Sequence, residues 1–379
     1  MKRLGMHAGI RVALAAAAIA TASAYAIEAP TQPPPAPAEA PESQHADVVP
    51  TDETQFYEHL QRVTHHRTLQ GLQVPDAVAE HLARGAADLA VAALSAEAAQ
   101  GSEAANIALL RIQHWCGRMS SARPSDPQQQ IDKLADHLPP ERATRAAGIV
   151  HAEAAYTRTA TEGCRRARFD YGAIEDRLRE AADAGRPASA TELAQFVRDP
   201  KQRDELLESA VEKQYAPAMY ALATRRVIDV QRGERTEDVG SIRLLLKQAG
   251  RTLPKAKVDF ANCVAAGCDG HPANSSTAKA FGLDAARDGE PAAYLSMTRM
   301  PWGGMLSRTE MLAWQYFGDR LNEAGCMGDA YLTHAANFAR SIQLLTQHLD
   351  EQGNEKASQL AATLWQDNAE RAKKEQGCQ

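Results

Sequence analysis

The sequence predicts an all-α fold built from repeated helical hairpins. Beyond position 52 the chain is rich in Ala, Leu, Glu, Arg and Gln, which all favour helices. Aromatic residues make up only 5% of the chain, and no segment alternates apolar and polar residues over the length of a strand. A phrase of similar sequence also recurs four times, which is typical of a repeat architecture.

The repeated phrase predicts a tight hinge between two helices. Its copies span 97–109, 181–193, 210–222 and 285–297, and the hinge position is Gly101, Gly185, Gln214 and Gly289 in turn. A small residue stands four positions after each hinge and an apolar one eight positions after. Glycine accepts the left-handed backbone that ends a helix, and small residues let antiparallel helices approach closely. Gln214 departs from the glycine pattern and requires a costlier backbone or a different turn.

Two of these segments carry a family resemblance. The stretches "RLREAADAGRPASATELA" and "ELLESAVEKQYAPAMYALA" resemble the Sel-one-like repeat (SLR), a relative of the tetratricopeptide repeat. The resemblance implies helix–turn–helix units stacked into a curved α-solenoid. At roughly 34 residues per unit, the intervals between Gly101 and Gly185 and between Gln214 and Gly289 each leave room for one degenerate unit. Residues 242–264 are a candidate for the second of these.

The first 26 residues predict a cleaved signal peptide. Lys2, Arg3 and Arg11 give a positive start, an Ala-rich apolar run follows, and Ala24-Tyr25-Ala26 forms a cleavage signature. The apolar run is shorter than a membrane span, and no later stretch approaches the ~18 apolar residues that a span requires. We therefore expect a mature chain in the periplasm that does not insert into the membrane.

The remaining chain is divided by composition. Residues 27–52 are rich in Pro and Ala and predict a disordered linker, 53–373 form the repeat domain, and 374–379 are assigned to a short C-terminal tail. The net charge of the chain is −6, and removal of the basic signal peptide makes it more acidic. An acidic chain lacks the basic footprint of a nucleic-acid-binding protein.

The cysteines predict disulfides. They are Cys116, Cys164, Cys263, Cys268, Cys326 and Cys378. An even number in an exported chain indicates a disulfide framework, for which six cysteines allow fifteen connectivities. Because contacts in a solenoid are local, the expected pairs join neighbours: Cys116–Cys164, Cys263–Cys268 and Cys326–Cys378. A zinc site at Cys263, Cys268 and His271 is a weaker alternative that lacks an evident fourth ligand.

The sequence contains no catalytic motif for a hydrolase, a metalloprotease, a nucleotide-binding enzyme or a dinucleotide-binding enzyme. No cofactor or metal is expected. Segment 297–307 interrupts the helices with a loop that carries Trp302, which either contacts a partner or folds back onto the solenoid.

The resemblance implies a non-catalytic adaptor or scaffold that binds protein partners of the cell envelope on the concave face of the solenoid. Two alternatives remain open at this stage: an immunity-type inhibitor of one protein partner, and an enzyme that acts on envelope polysaccharide.

Overall fold

The computed structural model describes residues 53–121, 126–232, 239–267, 273–299 and 302–378. These residues form seventeen α-helices, two short 3-10 helices and no strand, which confirms the predicted all-α class. The predicted signal peptide and almost all of the linker lie outside the described residues. None of the described helices has the length and apolar character that crossing a membrane requires.

The helices follow one another with short connections. They are α1 (Glu53–Leu69), α2 (Asp76–Ala83), α3 (Ala87–Ala99), α4 (Glu103–Ser121), α5 (Pro127–Ala135), α6 (Pro140–Arg166), α7 (Tyr171–Asp183), α8 (Pro187–Ala194), α9 (Pro200–Glu212), α10 (Ala216–Gln231), α11 (Val239–Ala249), α12 (Pro254–Ala266), α13 (Ser275–Arg287), α14 (Pro291–Met297), α15 (Arg308–Glu323), α16 (Tyr331–Thr346) and α17 (Glu351–Gln376).

Each hinge position lies in a turn between two helices. Gly101, Gly185 and Gly289 have φ values of 87°, 79° and 77°, and Gln214 adopts the same left-handed region with a φ of 57°. Gln214 is the one non-glycine residue with a positive φ in the described part of the chain. It occupies the turn at the cost of backbone strain, because a Cβ crowds the left-handed conformation.

Small residues make the hairpins tight. The residues four positions after the hinges are fully buried: Ala105, Ser189, Ala218 and Ala293. The apolar residues eight positions after the hinges are buried as well: Leu109, Leu193, Leu222 and Met297. In each hairpin the backbones of the two helices therefore approach closely beside the hinge, and a larger side chain fills the interface one turn further along. This is the packing that the repeated phrase predicts.

The two long intervals between hinges contain different structures. Between Gln214 and Gly289, α11 and α12 form a hairpin that corresponds to the hidden unit expected at 242–264. Between Gly101 and Gly185, helices α5 and α6 differ greatly in length: α5 has 9 residues and α6 has 27. The stretch before Cys164, which looks irregular in the sequence, is this long helix. It packs against α1, α3 and α4 instead of forming a regular unit.

Successive hairpins stack, and the stack curls until its two ends meet. Helix α1 contacts the short 3-10 helix Gly328–Ala330, which lies between α15 and α16. The backbone N–H of Asp329 donates to Thr64 Oγ1 at 2.7 Å, and the Phe56 ring meets the edge of the Tyr331 ring with centroids 5.1 Å apart. The solenoid is thus closed by these contacts, a feature that the predicted curved stack of hairpins does not by itself specify.

An ion-pair cluster reinforces the closure. Arg142 on α6 donates to Asp319 at 2.8 Å and to Glu323 at 2.7 Å, both on α15, and Arg145 donates to Glu323 at 3.1 Å. All four side chains are at least two-thirds shielded from solvent. Charge-assisted hydrogen bonds in such a setting are stronger than those between exposed pairs.

The C-terminus is part of the fold, which corrects the tail assigned to 374–379. Helix α17 continues to Gln376, and the buried Cys378 forms a disulfide with Cys326. Gln376 Nε2 also donates to the carbonyl of Asp288, beside the hinge glycine of α13 and α14. The end of the chain is held because both the disulfide and the hinge contact fix it.

We predict opposite effects of two hinge substitutions. Gln214→Gly should stabilise the protein by about 1 kcal/mol, because glycine removes the penalty of the left-handed backbone. Gly185→Ala is the matched control: its added Cβ would meet no atom within 4 Å, so only the backbone conformation is affected. It should destabilise by about 1 kcal/mol. Urea denaturation measures both, and the same sign for both changes would contradict the hinge assignment.

We also predict that the Cys116–Cys164 disulfide, which joins α4 to α6, stabilises the fold. It closes a loop with a sequence separation of 48 residues, for which loop entropy gives about 4 kcal/mol. The double substitution Cys116→Ala/Cys164→Ala should lower the free energy of unfolding by about that amount. A denaturation midpoint equal to that of the unmodified protein would show that the bond adds nothing.

Candidate functional site

The inner face of the closed solenoid carries a circuit of polar and aromatic side chains. They come mainly from the second helices of successive hairpins, and α1 supplies the remainder. We call this set the inner polar belt; its members are Arg67, Thr68, Arg111, Glu192, Tyr215, Tyr220, Lys255, Asp259 and Glu290. Most are half-buried, while Glu192 is buried and Lys255 is exposed.

One half of the belt is organised by Arg111 on α4. Its Nη1 donates to the carbonyl of Thr68 on α1 at 2.7 Å, and its Nε donates to Glu192 Oε1 on α8 at 3.0 Å. Tyr215, which precedes α10, lies within the field of both charges: burial raises the pKa of its hydroxyl, while Arg111 lowers it and Glu192 raises it. This arc therefore runs from α1 through α4 and α8 to α10.

The other half is organised around Tyr220 on α10. Its hydroxyl donates to Asp259 Oδ2 on α12 at 2.8 Å. The ammonium of Lys255 lies 5.8 Å from the centroid of the Tyr220 ring, within the range of a cation–π contact. Burial raises the pKa of Asp259, and the Tyr220 hydrogen bond and Lys255 lower it in part.

Glu290 closes the circuit. It caps the N-terminus of α14, where its Oε1 accepts from the backbone N–H of Ala292 at 3.1 Å. Burial raises the pKa of Glu290, the positive charges of Arg67 and Lys255 lower it, and the charge of Asp259 raises it. Arg67 follows, one residue before Thr68, so the belt returns to its starting point.

Arg67 belongs to both the belt and the closure of the solenoid. Its guanidinium donates to the carbonyls of Cys326 and Met327, in the segment that α1 contacts. Arginine suits this position because its fork of donors can serve two carbonyls while its charge faces a carboxylate. Ring closure therefore positions one side of the candidate site.

The belt offers recognition by hydrogen bonds and charge. Carboxylates, two tyrosines, two arginines and a lysine alternate around the face, and aromatic surface lies between them. The described cysteines are bound in disulfides, so none supplies a thiol nucleophile. Among the described residues, no three His, Cys, Asp or Glu side chains are grouped to hold a metal ion.

Trp302 is not a partner contact, which corrects that expectation. Its side chain is fully buried, and its indole Nε1 donates to Ser296 Oγ at 2.9 Å. The ring lies over Gly282 of α13, where an added Cβ would come within 2.5 Å of it. Trp302 therefore folds back and fills the solenoid, because Gly282 leaves room for it and Ser296 satisfies its polar group.

Two of the three expected disulfides, Cys116–Cys164 and Cys326–Cys378, are present. Cys263 is also disulfide-bonded, while Cys268 and His271, the other members of the zinc alternative, lie outside the described residues.

The sequence motifs do not predict the belt. One signal for part of it is the position directly after the hinge, which is Tyr215 in one unit and Glu290 in another. These residues are the N-caps of the second helices of their hairpins, α10 and α14. The remaining members come from unrelated repeat positions, and only the tertiary structure brings them together.

No protein-family model matches the chain, and no curated protein matches it. Among solved structures, the fold is similar to a protective antigen of uropathogenic Escherichia coli strains that displays an SLR fold, with 12% sequence identity and a TM-score of 0.43. The similarity covers 78% of this chain and 60% of that protein. Inference about function therefore rests on the residues of this chain.

We predict that Asp259→Asn stabilises the protein at neutral pH. The amide keeps an acceptor for the Tyr220 hydroxyl and removes a charge that burial disfavours. Because the folded-state pKa is raised, the folded protein retains a proton that the unfolded chain releases, so the charge costs stability as pH rises through the folded-state pKa. The gain, measured by urea denaturation, should shrink toward about pH 4. The exposed control Glu370→Gln should show no such trend.

Proposed function

We propose that this protein is a non-catalytic scaffold that binds a segment of a partner protein along the inner polar belt. The supporting observation is the continuity of the belt: its polar groups follow one another across α4, α8, α10, α12 and α14 and return to α1. A stack of helical units presents such an extended surface, rather than the single deep pocket typical of a small-molecule site.

The chemistry of the belt suits a peptide. An extended segment exposes backbone N–H and C=O groups along its length, and the belt offers both acceptors and donors. Asp259 and Glu290 accept hydrogen bonds, whereas Arg111 and Lys255 donate them. The rings of Tyr215 and Tyr220 add flat apolar surface at low entropy cost, as tyrosines do in many protein interfaces.

We also propose that the protein works outside the cytoplasm, with a partner in the cell envelope. The disulfides Cys116–Cys164 and Cys326–Cys378 support this location, because such bonds persist in oxidising compartments. The predicted cleavage after Ala26 gives a direct check, since the N-terminal residue of the mature chain should be Ile27.

Site-specific photocrosslinking in cells that produce the protein tests the binding face. A photoreactive amino acid at Tyr215 or Tyr220 should crosslink to one and the same partner. The controls are Leu89 on α3 and Leu244 on α11, which are exposed positions on first helices of hairpins. Crosslinks that form equally at all four positions, or at the control positions alone, would contradict the assignment of the inner face.

A further inference from the structure

One sector of the belt has the composition of a site for a positively charged group. We define the cation site as Tyr220, Asp259 and Glu290, with Lys255 beside them. Asp259 uses Oδ2 to accept from Tyr220, and Glu290 uses Oε1 to accept from its own helix terminus. Their second oxygens, Oδ1 and Oε2, make no hydrogen bond with the described residues and are not among the fully buried atoms that lack a partner. Both oxygens are therefore able to accept a ligand.

We propose that the cation site binds a lysine or arginine side chain of the partner protein. This inference rests on the proposed function only in taking the ligand to be part of a protein segment. The ammonium or guanidinium would donate hydrogen bonds to the second oxygens of Asp259 and Glu290 and would lie against the ring of Tyr220. Cations are held in this way when carboxylates and an aromatic face converge.

The charge balance of the sector favours a cation. Arg67 and Lys255 are the positive groups that stabilise the Glu290 carboxylate, and Lys255 also stabilises that of Asp259. The charges of Arg67 and Lys255 do not fully offset the cost of burying the two carboxylates, since the pKa values of Asp259 and Glu290 remain raised. Arg67 is further engaged by the carbonyls of Cys326 and Met327. One additional positive charge would therefore be stabilised here.

Lys255 shows that a positively charged side chain can lie in this sector of the belt. Its side chain is exposed, yet its ammonium lies over the Tyr220 ring and within the field of both carboxylates. It makes no ion pair within 4 Å in the described structure, so its position is held by weak contacts. A lysine or arginine of a partner that forms direct hydrogen bonds to the carboxylates can displace it. The chain's net charge of −6 would also attract a basic segment at long range.

Fluorescence anisotropy with a labelled peptide of alternating Lys and Ala residues tests the cation site. The Asp259→Asn/Glu290→Gln variant should bind this peptide at least about tenfold more weakly, as expected for the loss of hydrogen bonds to charged groups. Both substitutions keep the acceptors used by Tyr220 and Ala292, so the fold is retained. The control Glu355→Gln/Glu370→Gln on α17 removes the same charge from exposed positions and should leave affinity within about twofold.

A second pair of variants separates the cation site from nonspecific attraction. Lys255→Met removes the resident competitor and should tighten binding several-fold, whereas Lys356→Met, an equal change in charge at an exposed position of α17, should not. Equal effects of Lys255→Met and Lys356→Met, or equal effects of the two double variants, would overturn the proposal. Inner-face crosslinks to a partner would then still support the scaffold function, so the two inferences fail separately.

Proton linkage gives an independent readout. Because a bound cation favours the ionised carboxylates, and burial raises the pKa of both Asp259 and Glu290, binding should release protons and should strengthen as pH rises through these raised pKa values. Calorimetry in buffers of different ionisation enthalpy measures the release. Affinity that does not change with pH, together with no proton release, would contradict binding at Asp259 and Glu290.

Discussion

The contact between α1 and the segment that joins α15 to α16 determines the shape of this molecule. A stack of helical hairpins has no intrinsic reason to close, because each unit packs only on its neighbours. Here Thr64, Phe56 and the Arg142 ion pairs connect residues more than 170 positions apart. Closure turns the concave side into an enclosed face, and it brings Arg67 opposite Glu290. The candidate site exists in its present form because the ends of the stack meet.

The sequence predicts well whatever depends on local chemistry. The hinges at Gly101, Gly185 and Gly289 follow from the backbone freedom of glycine, and the buried Ala218 and Ala293 follow from the close approach of paired helices. Two of the three predicted cysteine pairs, Cys116–Cys164 and Cys326–Cys378, are present, because each joins segments that are neighbours in the stack. The hinges and the buried small residues depend on separations of a few residues, over which residue type largely determines the backbone and the packing.

Long-range geometry accounts for what the sequence does not predict. The sequence leaves two alternatives for Trp302, and the choice between them depends on Gly282 of another helix, which leaves the space that the indole fills. The boundary at residue 373 is wrong, because the last turn of α17 and Cys378 dock on distant segments. The belt escapes detection because its members share no spacing. The belt residues have in common only that they lie on the inner face of the closed solenoid. That face is defined by the tertiary structure and not by the spacing of residues along the chain.

The order of the two ends along the chain has a consequence for biogenesis. Helix α1 is made before the segments that it contacts, since His66 lies against Gly377 and the carbonyl of Cys326, which bonds to Cys378, accepts from Arg67. Hairpins in the middle can fold as soon as they emerge, because their contacts are local. The closure of the solenoid, however, forms only after α15, α16 and α17 have been made. A chain that stops before α15 would therefore be an open arc of folded hairpins, in which Arg67 lacks the carbonyl partners Cys326 and Met327.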